Sequence, residues 1–273
     1  MAERRLEVYP DKATVAEAAA QRTLLAILDG LSARGEGGNN THATARYDVG
    51  LTGGSDSILS LKDMAANPLV DAVDWSRVHF WWGDERYSAP DSDDRNCLQA
   101  RRAFLDKLVS DGRLPETNIH EVPADMRSAA EVAAASDEEN DALLAQAAAQ
   151  YQTELRRELG DAPTLDLLIL GMGPDGHFGS LFPGHDEINV TDSRQLVVGV
   201  SHSPKMPPLR VSLTAPMMAR SRRTWMLTCG AGKAEASAQV FAHRNNPAYP
   251  SSFADGVDEF LWSTDPAASA LLK

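Results

Sequence analysis

Short apolar runs alternate along the chain with longer stretches of helical composition. Strand-like runs stand at "RLEVY" near the N-terminus, Tyr47–Leu51, Val78–Trp82, Leu165–Leu170, Gln195–Val200 and Thr224–Thr228. Between them, Asp11–Leu31 is rich in Ala and Leu and is bounded by Asp11 and the "ARGEGGNN" breaker, which predicts a helix. "SDSILSLKDMAA" offers a serine cap and a short helix. The polar loop Tyr87–Asn96 leads into a helix over Leu98–Val109, and "NIHEVP" predicts a short strand. Met126–Leu159 has two halves of strong helix formers, "AAEVAAAS" and "ALLAQAAAQYQTELRREL", interrupted by "SDEEN"; it reads as structural helix packed on a sheet. "AGKAEASAQVF" opens a last long helix.

Such alternation predicts an α/β domain with a mostly parallel sheet flanked by helices. No internal repeat, Pro/Ser-rich linker or break in composition divides the chain, so residues 1–273 read as a single domain. Parallel sheets bind ligands beyond the carboxyl ends of their strands. The loops "TGGS", "GDER" and "GMGPDGH" each follow a strand directly and are expected to open on one edge of the sheet.

Composition narrows the classes. Hydrophobic residues make up 43% and charged residues 24%, ordinary values for a soluble globular protein. Without a run long enough to span a bilayer or an apolar signal core, the chain is expected in the cytoplasm. Cys97 and Cys229 are too few for a disulfide framework or a four-ligand zinc site. The net charge of −13 repels phosphate backbones and anionic membranes, so neither nucleic acid nor membrane is an expected partner. A phosphorylated metabolite would be repelled too, unless basic residues gather at one place.

"LILGMGPDGHFGSLFPGH" carries G-x-G-x-x-G at Gly171, Gly173 and Gly176. A dinucleotide site needs a long helix from the third glycine. Pro183 and Gly184 stop any such helix, and no acidic residue ends a following strand at the required distance. "CGAGKAEA" fails as a P-loop, because Leu227 stands at the first glycine and Ala234 at the magnesium-binding hydroxyl. "GGSDS" misses the hydrolase elbow at Ser57, which leaves Ser55 a weak nucleophile candidate. His177 and His185 lack further ligands to complete a metal site, so no metal and no cofactor are expected. What remains is complementary: Gly53, Gly54 and Ser55 before a helix suit a phosphate monoester, Arg86 can fork onto phosphate oxygens, and Lys205 sits on a loop stiffened by Pro204, Pro207 and Pro208.

Together these pieces resemble the 6-phosphogluconolactonase family over nearly the full length. "LDLLILGMGPDGHFGSLFPGH" is very similar to that family's most diagnostic segment, and "GDER", "SPKMPPLRVSLT" and "GAGKAEA" occur in its order. The related glucosamine-6-phosphate deaminases look alike through "DGH" but then carry an Asn-Glu-Pro element absent here. The resemblance implies a three-layer Rossmann-like fold; separately, a monomer or weak homo-oligomer is expected. The implied activity is hydrolysis of 6-phospho-D-glucono-1,5-lactone to 6-phosphogluconate in the oxidative pentose phosphate pathway. The chain departs from the family at "SDSI", where Ser-Thr-Pro is usual; Asp56 is expected to repel a dianion unless it points away. In "DDRN", Asn96 alone matches the family's Ser-Asn pair, and "PKMPP" has Met206 where another proline is common.

A lactone is an activated ester, and a neutral imidazole can take a proton from attacking water. The resemblance singles out His177 for that role. Asp175 is a candidate to orient the imidazole or cap its loop, and Asp84 to orient water or sugar hydroxyls. Gly53, Gly54, Ser55, Arg86 and Lys205 form the expected phosphate set. Two other functions compete: an amino-sugar-phosphate isomerase-deaminase, and a non-catalytic sugar-phosphate binder.

Overall fold

A computed structural model describes residues 2–33 and 46–272. Six parallel strands form the central sheet: β1 (Arg4–Val8), β2 (Tyr47–Leu51), β3 (Val78–Trp82), β5 (Leu167–Gly171), β8 (Arg223–Thr228) and β9 (Glu259–Thr264). Their order across the sheet is β1-β9-β8-β5-β2-β3. Every pair is parallel, with Gly50 opposite both Trp81 and Leu168. Strands covered on both faces need apolar residues at consecutive positions, which explains the unbroken "LLIL" run, whereas the edge strand β3 has half-buried His79 ahead of its apolar "FWW". Leu167, Leu168, Ile169, Leu170, Phe80, Trp81 and Trp82 are all buried.

A second, three-stranded antiparallel sheet joins β4 (Asp84–Arg86), β7 (Arg210–Leu213) and β6 (Val197–Val200) in the order β4-β7-β6. The sequence pattern placed Gln195–Val200 among the strands but gave no sign of this separate sheet. Strands β4, β7 and β9 are short or only partly apolar, and their pairing is decided by distant partners. "NIHEVP" is not a strand; a single bridge joins Ile119 to Phe80, Pro115 precedes the segment and Pro123 ends it.

Helix α1 (Lys12–Ala33) packs on α2 (Ser55–Ala66). The breaker after α1 lies outside the described residues from Arg34 onward. The predicted helix near residue 98 runs from α3 (Asn96–Ala100) through a π turn (Arg101–Leu105) to α4 (Asp106–Ser110). "SDEEN" marks the start of a helix rather than a mere interruption. Ser136 and Glu139 form a capping box at the head of α6 (Asp137–Leu159), as Ser128 and Glu131 do for α5 (Ala129–Ala134). The last long helix is shorter than predicted, α8 (Ala234–Ala242), after the brief α7 (Ala215–Met218). Among the described residues, no helix is long and apolar enough to cross a membrane.

From β2 the chain moves outward to β3, whereas from β5 it moves the other way to β8 and β9. The carboxyl ends of β2 and β5 therefore flank a switch point, where the crevice of an α/β sheet lies.

Candidate active site

A cleft of about 250 Å³ opens at that switch point, lined by the loops after β2, β3 and β5 and by Arg210, Leu227 and Lys233. The expectation that "TGGS", "GDER" and "GMGPDGH" share one edge holds. Of the predicted site residues, Gly53, Gly54, Ser55, Asp84, Arg86 and His177 line this cleft directly.

The loop after β5 closes on itself, with Gly173 N donating to His177 O (2.9 Å) and Gly176 N to Gly173 O (3.0 Å). This sets the imidazole against its neighbour: His177 Nδ1 lies 2.5 Å from Asp175 Oδ1. An ionised carboxylate only accepts, so in the neutral ring Nδ1 is the nitrogen that carries the proton and Nε2 the one with the lone pair. Phe182 supports the ring at 4.6 Å between centroids. A Cβ at Gly173 would stand 2.0 Å from His177 Cε1 and 2.6 Å from Asp175 Oδ1, so any side chain there would displace both partners. Hence this glycine makes room for the imidazole–carboxylate pair. His185 lies on Phe182 as well (5.7 Å) but turns toward Glu187.

Lys205 is placed differently from its expected role. Its Nζ is 3.2 Å from Asp175 Oδ1 and 3.2 Å from His177 Nδ1, so its ammonium joins the acid–base pair. Burial pushes the Asp175 carboxyl up, but the hydrogen bond and charge of His177, together with Lys205, outweigh it. The carboxyl lies well below the usual carboxylate range. Arg210, which sequence reasoning overlooked, organises the lysine loop. From β7 it donates to the carbonyls of Pro207 (2.7 Å), Lys205 (3.1 Å) and Met206 (3.1 Å). Burial, then the nearby Arg86 charge, lowers its pKa to about 10, which still leaves it protonated at neutral pH.

The glycine loop after β2 leads into α2, whose N-cap Gly54 provides no side-chain cap, so the first amides of the helix are free of one. Asp56 at the second helical position does not stand alone. Its carboxylate meets Lys12 Nζ at 2.7 Å and Lys233 Nζ at 3.1 Å, and accepts from Cys229 N at 3.2 Å. Lys12 Nζ also donates to Ser55 Oγ at 2.6 Å. Burial raises the Asp56 carboxyl, but Lys233 and Lys12 outweigh that and hold it below its ordinary value. Two ammonium groups against one carboxylate leave one net positive charge beside the glycine loop. Lys12 and Lys233 were missed in the sequence; the only trace was "GAGK", which looked like a failed P-loop.

"GDER" divides its labour. Asp84 Oδ1 accepts from Thr52 Oγ1 (3.2 Å) and Oδ2 from Ser180 Oγ (2.7 Å), tying the loops after β2, β3 and β5 together. Glu85 is fully buried and accepts from the amides of Asn96 (2.6 Å), Cys97 (2.8 Å) and Arg86 (2.8 Å), which caps α3; burial raises its carboxyl. Arg86 donates to the Asp94 carbonyl (2.8 Å) and makes no ion pair among the described residues. Asn96 is fixed by Nδ2 donating to Asp84 O (2.9 Å), and its buried Oδ1 has no protein partner among the described residues. That oxygen faces Gly53, where a Cβ would stand 2.0 Å from it.

The cleft thus combines an oriented imidazole, unclaimed helix amides and several cations. The sequence profile of the family described as glucosamine-6-phosphate isomerases/6-phosphogluconolactonase matches residues 10–262. The chain belongs to this family. Among curated relatives, the 6-phosphogluconolactonase of Mycobacterium tuberculosis is 37% identical over 270 residues, covering 98% of each chain. That of Streptomyces coelicolor is 36% identical over 273 residues, covering 98% of this chain and 94% of its own. The solved 6-phosphogluconolactonase of Trypanosoma brucei superposes with a TM-score of 0.79 over 100% of both chains at 21% identity, a likeness of fold. It agrees with the three-layer α/β fold that the resemblance implies.

Proposed function

We propose that the protein hydrolyses 6-phospho-D-glucono-1,5-lactone to 6-phosphogluconate, with His177 as general base. The observation that carries this reading is the Asp175-oriented imidazole lining the same cleft as the Lys233–Asp56–Lys12 cluster and Arg86. Long relatives named for the lactonase activity support it, whereas the family description alone covers two activities.

Water held by His177 Nε2 attacks C1 of the lactone as the imidazole takes its proton. Asp175 keeps Nδ1 protonated and offsets the imidazolium charge, and Lys205 positions Asp175. Negative charge on the former carbonyl oxygen is met by backbone amides of the glycine-rich loops. When the tetrahedral intermediate collapses, the C1–ring-oxygen bond breaks and the imidazolium returns its proton to that oxygen. This reaction uses neither a metal ion nor a covalent intermediate. The phosphate rests on the amides of Gly54 and Ser55, with Arg86 and Lys233 beside them and Lys12 behind.

The test pairs two assays on the purified protein: hydrolysis of freshly generated lactone, corrected for spontaneous opening, and ammonia release from glucosamine 6-phosphate. Lactone hydrolysis well above background, without ammonia release, is expected. Ammonia release with background lactone hydrolysis would replace the reading with the deaminase. Binding of 6-phosphogluconate without either activity would leave a sugar-phosphate binder.

A further inference from the structure

The cleft lies at the carboxyl end of β3. At the other end of that strand, four residues from three segments distant in sequence meet. His120 is drawn alongside β3 by the bridge between Ile119 and Phe80 and by its amide donating to Phe80 O at 2.9 Å. Its ring lies flat on Trp81, 3.8 Å between centroids and 7° from parallel, and its Nδ1 is 2.7 Å from Glu154 Oε1. These two contacts fix the ring's position and tautomer. With Nδ1–H given to the carboxylate, Nε2 presents a lone pair, and His79 Nδ1 stands 2.9 Å from it. Glu158 sits one turn beyond Glu154 on α6. Donor atoms of His79, His120 and Glu158 all fall within 4.8 Å of one another.

A carboxylate on one imidazole nitrogen with the other nitrogen presented inward is the usual outer-shell arrangement of metal-binding histidines. Two imidazole nitrogens and one carboxylate form a donor set for a borderline divalent ion, with water as fourth ligand. We propose that the protein binds one Zn²⁺ ion here, through His79 Nδ1, His120 Nε2 and a Glu158 carboxylate oxygen, with Glu154 orienting His120. The site joins α6 to the edge strand β3 and takes no part in lactone chemistry.

The geometry makes definite demands. Two nitrogens at tetrahedral positions about 2.0–2.1 Å from zinc stand about 3.3 Å apart, so the 2.9 Å separation opens by about 0.4 Å. His79 is only half-buried and can turn that far, whereas His120 is buried beneath Trp81. His79 also moves its proton from Nδ1 to Nε2, a change of tautomer with no net loss of a proton. Glu158 already serves two arginines, Arg46 on Oε2 (3.1 Å) and Arg157 on Oε1 (3.1 Å). Each carboxylate oxygen has two lone pairs, so one can keep its arginine and still face the ion. The Arg46 charge opposes the cation, and the nearby Asp48 and Glu154 carboxylates offset it.

The experiment uses the full chain, stripped with a chelator and titrated with zinc chloride by calorimetry and thermal melting, with Co²⁺ absorption as a report on coordination. Saturable 1:1 binding is expected, with a melting temperature raised by about 5 °C or more at a hundredfold excess over Kd. His79→Gln and Glu158→Gln should weaken binding at least about tenfold and alter or abolish the Co²⁺ bands, as imidazole and carboxylate ligands are removed. His177→Ala should bind as the wild type does, and His79→Gln should keep the wild-type lactone rate. Absence of a saturable site, unchanged zinc affinity in His79→Gln, or loss of binding in His177→Ala would each overturn the proposal. His120→Gln should weaken binding likewise; if that buried variant does not fold, the half-buried His79 variant decides.

Discussion

Among the described residues, two imidazoles hydrogen-bond a carboxylate through Nδ1. In the cleft, His177 Nδ1 meets Asp175 at 2.5 Å; at the far end of β3, His120 Nδ1 meets Glu154 at 2.7 Å. What differs is where the second nitrogen goes. The ring of His177 lines an open cleft, so its Nε2 can reach water and substrate. That of His120 is stacked under Trp81, with Nε2 directed at His79. Orientation by a carboxylate is thus common to both, and access separates a candidate base from a candidate ligand or structural link.

The largest expected effect tests that separation directly. His177→Ala should lose roughly 10²–10⁴ in lactone hydrolysis, the usual share of a general base. An unchanged rate would remove His177 from the chemistry and erase the contrast with His120. Asp175→Asn comes next: losing a charged hydrogen bond worth about 1.5–3 kcal/mol should lower kcat roughly 10–100-fold while KM stays near its original value.

Smaller effects sharpen the division within the cleft. Arg86→Ala and Lys233→Ala should mainly raise KM, by about tenfold or more, as charged contacts to a phosphate are removed. Lys205→Ala should instead lower kcat, because its ammonium sits on Asp175; a pure KM effect would return it to the phosphate set. The smallest effect concerns stability. Asp56 has a folded pKa below its ordinary 3.8, so its contribution is complete above that value and is lost as pH falls through the folded pKa. Melting temperatures should therefore drop below about pH 4, and Asp56→Asn should flatten that part of the curve.

The same comparison explains what the sequence could reveal. Asp175 and His177 are two residues apart on one loop, so a motif displays them together, and the apolar runs display the parallel strands that carry the loop. His79, His120, Glu154 and Glu158 come from three segments, and nothing local marks them. Lys12 and Lys233 were hidden for the same reason, since the sheet order brings the head of α1 and the loop after β8 to Asp56. Arg210 was visible at the end of "SPKMPPLR", but its grip on three carbonyls depends on β7 pairing with β4 and β6. The small sheet was illegible because its strands are too short to show a period.

Asp56 looked like a liability in the sequence, a negative charge where a phosphate is to be bound. Its two lysine contacts give it another effect under the proposed reading. A lysine immobilised only when ligand arrives costs about 0.5–1.5 kcal/mol in lost rotamer freedom. Here Lys233 and Lys12 are ordered when the chain folds, and the carboxylate that orders them subtracts one charge from two. Binding then begins from side chains already in place, at the expense of a weaker local field.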